Sequence, residues 1–333
     1  MNFQEILKYF VYAGMIFTVL AGIAAYLTLM ERKVLAWIQQ RMGPKYVGFR
    51  GILQPLADGI KLVIKEDLLP SWSDRAVYWI APIAVLVPAL LMWVAIPITD
   101  GIVLDDSDLG LFYITAISVL TVMGLVMAGW GSANKWAVMG GLRAAGQLVS
   151  YEIPFIMSIL TIAMLAQSLN LTEIVNQQQT FAFILKQPLA FVIFFIAGLA
   201  ELGRIPFDIH HAESEVVGGP FVEYSGAHWA VFYLAEYMNT FTVAVLTTIL
   251  FLGGWLPLVD FFPFNIIPGP LWLIFKILFL FILFALVKAT VPRYRYDQLM
   301  RLGWKIFLPF SLLYLVLTAS FLFFFDKLPK GNF

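Results

Sequence analysis

Long apolar runs restrict the fold of this chain more than any other feature of its sequence. A helix needs roughly 20 mostly apolar residues to cross a hydrocarbon core about 30 Å thick. The 333 residues contain eight runs that approach this length, near 6–30, 77–98, 111–131, 149–168, 186–205, 228–253, 271–290 and 306–325. The run at 186–205 has the shortest clean apolar part, because it ends among Glu201 and Arg204. We therefore expect an all-α integral membrane protein with about eight transmembrane helices, which form one polytopic membrane domain over 1–333.

The positive charges indicate how these spans are oriented. Most of the 21 lysines and arginines lie in or beside the loops that follow the odd-numbered spans, and Lys276 lies within a span. Positive residues are enriched in loops on the cytoplasmic side of a membrane. We therefore expect the loops after the odd-numbered spans on the cytoplasmic side and both termini on the opposite side, which is the periplasmic side if the membrane is a bacterial inner membrane. We prefer that location to the mitochondrial inner membrane, which has the same topology.

The sequence has no cysteine and three histidines. An iron–sulfur cluster needs several thiolates, and a haem held between helices needs facing histidines, so neither cofactor is expected. His210 and His211 stand near Glu213, but neighbouring side chains diverge and no further ligand spacing supports a metal site. We expect no bound metal and no nucleic-acid partner, and any electrons must be carried by a partner protein or a diffusible molecule.

The segment from Gln54 to Glu66, in the loop after the first span, has helical periodicity. Polar side chains recur every three or four residues, apolar ones cover the other side, and Pro55 stands near the start, where a helix tolerates proline. The pattern predicts an amphipathic helix that lies in the membrane interface.

An acid-rich stretch from Ala200 to Glu236 joins two of the apolar runs. Its acids are Glu201, Asp208, Glu213, Glu215, Glu223 and Glu236, and Arg204 is its only arginine or lysine. Ionised carboxylates at or inside a bilayer are costly, so they are usually paired, neutralised or used to move protons. The stretch favours a function in proton or ion handling, although a loop rich in acids can also be merely solvated.

Three acidic residues lie inside predicted spans. Glu236 is about two turns into the sixth span, Glu152 is in the first turns of the fourth, and Glu201 is near the end of the fifth. All three fall in the same half of the membrane, so they could converge on a proton path of coupled carboxylates. The alternative is that each acid is a hydrogen-bond partner between helices.

Basic and aromatic residues are interleaved in the first loop. The basic ones are Arg32, Lys33, Arg41, Lys45 and Arg50. Anchoring on the positive side of the membrane explains them without any function. A docking surface for a peripheral subunit, or a rim that guides an amphipathic headgroup, is the functional alternative. The same choice applies to Pro292–Asp297.

Several short motifs follow one another in a distinctive order from end to end of the chain. They are Glu31–Lys33, Gln40–Pro44, Gln54–Gly59, Ser150–Pro154, Ala200–Glu201, Arg204–Asp208, Glu213–Glu215, Glu223–Gly226, Ala235–Tyr237 and Pro292–Leu299. Together they resemble the family of the membrane-embedded H subunit of respiratory complex I, NADH-quinone oxidoreductase, whose mitochondrial members are called NADH dehydrogenase subunit 1.

The resemblance implies a position at the junction between the membrane arm and the peripheral arm of that proton-pumping enzyme. With two peripheral subunits, such a protein forms a long, narrow chamber through which the substrate quinone reaches the terminal iron–sulfur cluster. The implied partners are these peripheral subunits, the neighbouring small and antiporter-like membrane subunits, and membrane lipid. No cofactor is implied for the chain itself.

The resemblance also implies site residues. The implied proton-coupling acids are Glu152, Glu201, Glu213, Glu215, Glu223 and Glu236. The implied quinone chamber contains Glu31, Arg32, Arg41, Asp58, Arg204, Phe207, Arg293 and Arg295, and Phe221 and Phe232 are further aromatic candidates. The chain departs from the family at His210 and His211, where many members have proline or alanine followed by glutamate.

Three other functions fit parts of the pattern. A homologous subunit of an energy-converting hydrogenase or of a ferredoxin–plastoquinone oxidoreductase would keep the fold and change the reaction. A stand-alone cation/proton antiporter would show internal repeats, which the sequence does not display. A purely structural anchor would leave the glutamates inside the spans unexplained. The first-loop motifs favour the quinone-linked respiratory enzyme.

Overall fold

A computed structural model describes residues 3–209, 213–257 and 267–325. Within these ranges no β-strand forms, and Thr99 and Ile102 make an isolated β-bridge. The helices are α1 Phe3–Ile38, α2 Gln54–Ile64, α3 Arg75–Leu91, α4 Gly110–Gly131, α5 Lys135–Ala166, α6 Leu171–Asn176, α7 Phe183–Lys186, α8 Pro188–Glu201, α9 Glu213–Val216, α10 Gly226–Phe251, α11 Gly269–Thr290, α12 Tyr296–Leu302 and α13 Leu308–Phe324.

Seven helical segments of the described chain are long and apolar enough to cross a membrane. They are Val11–Ile38, Arg75–Val94, Gly110–Gly131, Lys135–Ala166, Gly226–Phe251, Gly269–Thr290 and Tyr296–Phe324. The remaining predicted span corresponds to α8, whose 14 residues rise about 21 Å at 1.5 Å per residue and are therefore shorter than a bilayer core. The prediction of an all-α membrane protein is confirmed.

Helix α5 extends well beyond the apolar run that predicted it. It begins at Lys135, whereas the apolar run begins near 149, because Asn134 caps the helix by accepting the N–H of Trp136 at 2.9 Å. The first turns are polar and glycine-rich, so hydropathy alone does not reveal them. Glu152 consequently lies near the middle of this 32-residue helix and not in its first turns.

Helix α10 is the central element of the bundle. In its most apolar window 78% of the residues are buried, against 22% for the corresponding windows of α1 and α4. Its C-terminal half, from Thr240 to Phe251, is buried on all sides, because nearly every residue there is inaccessible to solvent. Side chains on α10 are therefore held in defined positions by the surrounding helices.

Lys276, the lysine inside a predicted span, is buried on α11. Its ammonium donates hydrogen bonds to three backbone carbonyls, those of Leu252 at 2.6 Å, Gly254 at 2.9 Å and Leu256 at 2.6 Å. These carbonyls follow the end of α10, where unpaired acceptors and the helix dipole favour a positive charge. Lys276 thus caps the central helix.

The helix predicted over Gln54–Glu66 forms as α2, with Pro55 in its first turn. Leu56, Ile60 and Val63 on its apolar side are exposed in the isolated chain. His210 and His211 lie outside the described residues.

Candidate functional site

Glu152, Glu201 and Glu236 line one cavity of about 110 Å³ between the helices. Helices α5, α8 and α10 contribute these three carboxylates, and α3 and α4 close the remaining sides. The structure therefore brings together the three acids that the sequence places inside spans.

Part of the cavity wall is polar, and some of its hydrogen-bond acceptors have no partner among the described residues. Glu152 Oε1, Glu201 Oε2 and Asn239 Oδ1 are buried and have no hydrogen-bond partner among the described residues. Further hydroxyl groups on the wall come from Thr115, Ser118, Thr121 and Thr242. Buried acceptors of this kind are normally satisfied by water, and the volume holds several molecules at ~10–15 Å³ each.

A buried ion cluster lies next to this cavity. Glu31 on α1 accepts hydrogen bonds from Arg204 at 2.5 Å, from Lys288 at 2.5 Å and from the hydroxyl of Tyr237 at 2.9 Å. Glu31 is 3% exposed and Arg204 is 6% exposed. A buried carboxylate stays ionised only with partners of this kind, so the cluster is an integral part of the fold.

Arg204 also approaches Glu236, one of the acids that line the cavity. Its second terminal nitrogen is 3.6 Å from Oε1 of Glu236, and its guanidinium carbon lies 4.4 Å from the centre of the Tyr237 ring. The two sides of one guanidinium therefore face two carboxylates, Glu31 in the ion cluster and Glu236 on the cavity wall.

The turn after α8 holds Arg204 in this position. The side-chain amide of Gln147 donates to the backbone carbonyls of Ala200 at 2.6 Å and Phe207 at 2.8 Å. The N–H of Phe207 bonds the carbonyl of Arg204 at 2.7 Å. Gln147 thus fixes both ends of the turn that carries the arginine.

The acids of the following loop bind α5 and its flanks. Glu215 accepts from Arg143 at 2.6 Å, and Glu223 accepts from the amide of Asn134 at 2.6 Å. Glu213 begins α9, and its side chain lies outside the described part of the structure. Glu215 and Glu223 are therefore tied to the start of α5, whereas the acids inside the helices face the cavity.

Four further basic residues implied for the chamber are exposed, and two of them pair with acids. Arg32 donates to Asp58 of α2 at 2.6 Å, and Arg293 donates to Asp208 at 2.9 Å. Arg41 and Arg295 are exposed. Arg32 follows Glu31 directly, so the pair with Asp58 joins the ion cluster to α2.

The pKa of Asp58 reflects its partners. Partial burial acts to raise the pKa, but the hydrogen bonds from Arg32 and Gln54 and the positive charges of Arg32 and Lys61 outweigh it. The net result is a pKa below the ordinary value for this carboxyl group, which therefore stays ionised at neutral pH.

The candidate aromatic residues occupy different surroundings. Phe207 is buried, with its ring centre 5.7 Å from that of Tyr151 and 5.8 Å from that of Tyr294. Phe221 and Phe232 pack on each other at 4.6 Å and line the cavity. Phe207 therefore packs within the protein, and the other two shape the space around the acids.

Sequence reasoning missed three residues of the site. Lys288 lies at the end of an apolar run, where a lysine is expected as an anchor, and its partnership with Glu31 has no local signal. Asn239 follows Glu236 by three positions, a spacing that places both on one helix face. Tyr237 was part of a recognised motif, but only the fold brings it to Glu31. Helical spacing could thus have identified Asn239 alone.

The chemistry of this arrangement is that of charge and proton transfer. Among the described residues there is no group of three or more histidine, cysteine or acidic side chains that could hold a metal ion. The site offers instead a buried ion cluster, a guanidinium shared between two carboxylates, and a cavity into which three carboxyl groups open.

Comparisons with known proteins cover nearly the whole chain and agree with one another. The sequence model of the family described as NADH dehydrogenase matches residues 11–319. A protein from Pelagibacter ubique, named as the H subunit of NADH-quinone oxidoreductase, is 50% identical over 305 residues, which are 92% of each chain. Proteins of the same name from Rhodospirillum centenum and Geobacillus thermodenitrificans are 49% and 48% identical, over 92% and 96% of this chain and 91% and 95% of their own lengths.

Proposed function

Because this chain belongs to the NADH dehydrogenase family and is a membrane subunit of an NADH-quinone oxidoreductase, we propose that it forms part of the quinone-binding chamber and the first part of the path that couples quinone chemistry to proton pumping. The hydrogenase, plastoquinone and antiporter alternatives are less well supported, since the named relatives are all subunits of the quinone-linked enzyme.

The chain is a multi-pass membrane protein that assembles with other subunits of that enzyme. We propose that its partners are the peripheral subunits at the terminal iron–sulfur cluster, the neighbouring antiporter-like and small membrane subunits, and lipid. The membrane is a bacterial inner membrane with both termini on the periplasmic side. The distribution of positive charge and the bacterial origin of the named relatives support this location.

The quinone chamber lies on the side of Glu31 where α1 meets α2. Its polar wall comprises Glu31, Arg32, Asp58 and Arg204, with Arg41, Arg293 and Arg295 at the exposed rim and Phe207 packed behind. A quinone has a flat headgroup on a long apolar tail. The exposed apolar side of α2 next to the Arg32–Asp58 pair provides an entry that matches both parts.

The observation that carries the proposal is the position of Arg204 between Glu31 and Glu236. One terminal nitrogen is 2.5 Å from the Glu31 carboxylate and the other is 3.6 Å from the Glu236 carboxylate. Arg204 and Glu31 are buried, and charges interact strongly where screening by water is weak. A change of charge at the chamber therefore reaches the cavity through a single side chain.

Reduction of quinone to quinol takes up a proton with each electron, and negative charge develops before each proton arrives. That charge competes with the two carboxylates for the guanidinium of Arg204. When the guanidinium moves away from a carboxylate, that carboxylate loses a compensating charge and binds a proton more readily. Quinone chemistry thus alters the protonation of Glu236, which shares its cavity with Glu201 and Glu152.

The remaining acids of the proposed chain are Glu213, Glu215 and Glu223, in the loop before α10. Glu215 and Glu223 contact Arg143 and Asn134, so movement of the loop would be transmitted to the start of α5. Helix α5 also carries Glu152. The loop thereby offers a second connection to the cavity.

Replacement of Glu201 or Glu236 by glutamine in the assembled enzyme tests the proposal. Glutamine keeps the shape and cannot take part in the proton path, so fewer protons should be pumped for each NADH oxidised. Glu173→Gln is the matched control, because Glu173 is exposed on α6. Full pumping by both cavity variants at normal quinone reductase activity would overturn the proposed coupling path.

A further inference from the structure

The segment that follows α2 is fastened to the first turn of α10. Asp67 Oδ2 and His228 Nδ1 are in direct contact, and the hydroxyl of Ser225 bonds Asp67 Oδ1 at 3.3 Å. The same hydroxyl accepts the N–H of Leu68 at 3.1 Å. These contacts join positions more than 150 residues apart.

The backbones approach each other closely at this junction. Gly226 has φ +52°, and a Cβ at this position would lie 2.9 Å from the carbonyl oxygen of Lys65. Only glycine permits both the conformation and the contact without strain. The end of α2 is therefore seated directly on the start of α10.

The imidazole is held in a defined orientation. His228 is 9% exposed, its ring centre is 4.2 Å from that of Trp79, and it lies 5.5 Å from that of Tyr78. Both aromatic rings come from the first turns of α3. Within the described part of the chain, the charged group that this ring contacts is the carboxylate of Asp67.

The titratable and charged groups around His228 come from three elements. Asp67 comes from the segment after α2, where the side chains of the preceding Lys65 and Glu66 are exposed, and Tyr78 comes from α3. Tyr224 precedes α10 and stacks on Tyr78 at 4.2 Å, and burial raises the pKa of Tyr224, so it stays neutral. Glu223 faces Tyr78 through its backbone carbonyl, at 3.1 Å from the hydroxyl.

We propose that Asp67 and His228 are positioning residues that set how firmly α2 is held against α10. The contact between Asp67 and His228 keeps α2, which carries Asp58 of the Arg32–Asp58 pair, in place. It also keeps in place the start of α10, the helix that carries Glu236 about 12 Å further along.

The inference rests on the proposed function in one respect, namely that α2 borders the quinone path. Hydrogen exchange of residues 54–68 in the assembled enzyme tests the positioning without reference to quinone. Asp67→Asn removes the carboxylate that contacts His228, His228→Phe keeps the ring and removes its polar edge, and Glu66→Gln removes the adjacent exposed carboxylate as a matched control.

We expect Asp67→Asn and His228→Phe to exchange about two- to fivefold faster than the wild type, the range of a partly exposed pair. Glu66→Gln should match the wild type. Unchanged exchange in Asp67→Asn would overturn the positioning.

The KM for a short-chain quinone separates this inference from the proposed function. We expect Asp67→Asn to raise KM about two- to fivefold over the wild type, with kcat affected less. Exchange that follows the expected pattern while KM stays unchanged would confirm the positioning pair and contradict the placement of α2 on the quinone path.

Discussion

The guanidinium of Arg204 donates a 2.5 Å hydrogen bond to the carboxylate of Glu31, although the two residues lie 173 positions apart in the sequence. The pair joins the first helix to the turn after α8, and both side chains are buried. Removal of either partner leaves a charge in the interior without its main compensation, which makes the pair costly to break.

Replacement of Glu31 by glutamine should therefore destabilise the protein by about 3–5 kcal/mol, because Arg204 and Lys288 lose their shared carboxylate. We expect a lower temperature of thermal inactivation for the assembled enzyme and a smaller amount of assembled enzyme. The exposed pair between Lys61 and Asp58 at 3.8 Å gives a control, since Lys61→Gln should cost less than about 1 kcal/mol. Equal stability of the two variants would contradict a structural role for the buried cluster.

The pair of Arg32 with Asp58 should contribute stability that depends on pH. The pKa of Asp58 is lowered in the folded protein, so its contribution is fully present above the unfolded carboxyl pKa of about 3.9 and is lost as the pH falls through the folded value. The stability difference between wild type and Asp58→Asn should thus stay constant above about pH 5 and shrink below about pH 4. Thermal unfolding of the enzyme in detergent measures it, and a difference that grows in acid would show that the sign is wrong.

Gly140 on α5 lies against the backbone of the loop before α10. A Cβ at this position would lie 2.5 Å from the Cα of Gly219, so Gly140→Ala must push the loop away. We expect a cost of about 1–3 kcal/mol and a loss of quinone reductase activity, because the displaced loop carries Glu215 and Glu223. Gly59 on α2 has no atom near its Cβ position, and Gly59→Ala should be neutral or stabilise by about 0.5–1 kcal/mol. Thermal stability distinguishes the two glycines, and an equal change in both would refute the close packing at Gly140.

The sequence predicts the helices well where hydropathy alone decides them. The run at 228–253 anticipates α10, Gly226–Phe251, to within two residues at each end. The start of α5 is not predicted, because its first turns carry Gly140, Gly141 and Arg143, and a single cap at Asn134 decides where the helix begins.

The candidate site is likewise predictable from the sequence only in part. The polarity of Glu152, Glu201 and Glu236 within apolar runs is visible in the sequence, and their common half of the membrane suggests that they meet. The partners of Glu31 are not visible, because nothing in the local sequence pairs it with Arg204 and Lys288 across 173 and 257 positions. Such pairings depend on helix packing, which hydropathy does not specify.

The proposed coupling predicts that quinone reduction changes the protonation of the carboxyl groups at the cavity. The infrared difference spectrum between the oxidised and reduced states of the assembled enzyme measures this change through the carboxyl stretching band. We expect the band in the wild type and in the control Glu173→Gln, and we expect it to be reduced in Glu236→Gln and Glu201→Gln. A band of the same intensity in all four proteins would contradict the account, because it would show that these carboxyl groups do not respond to the quinone.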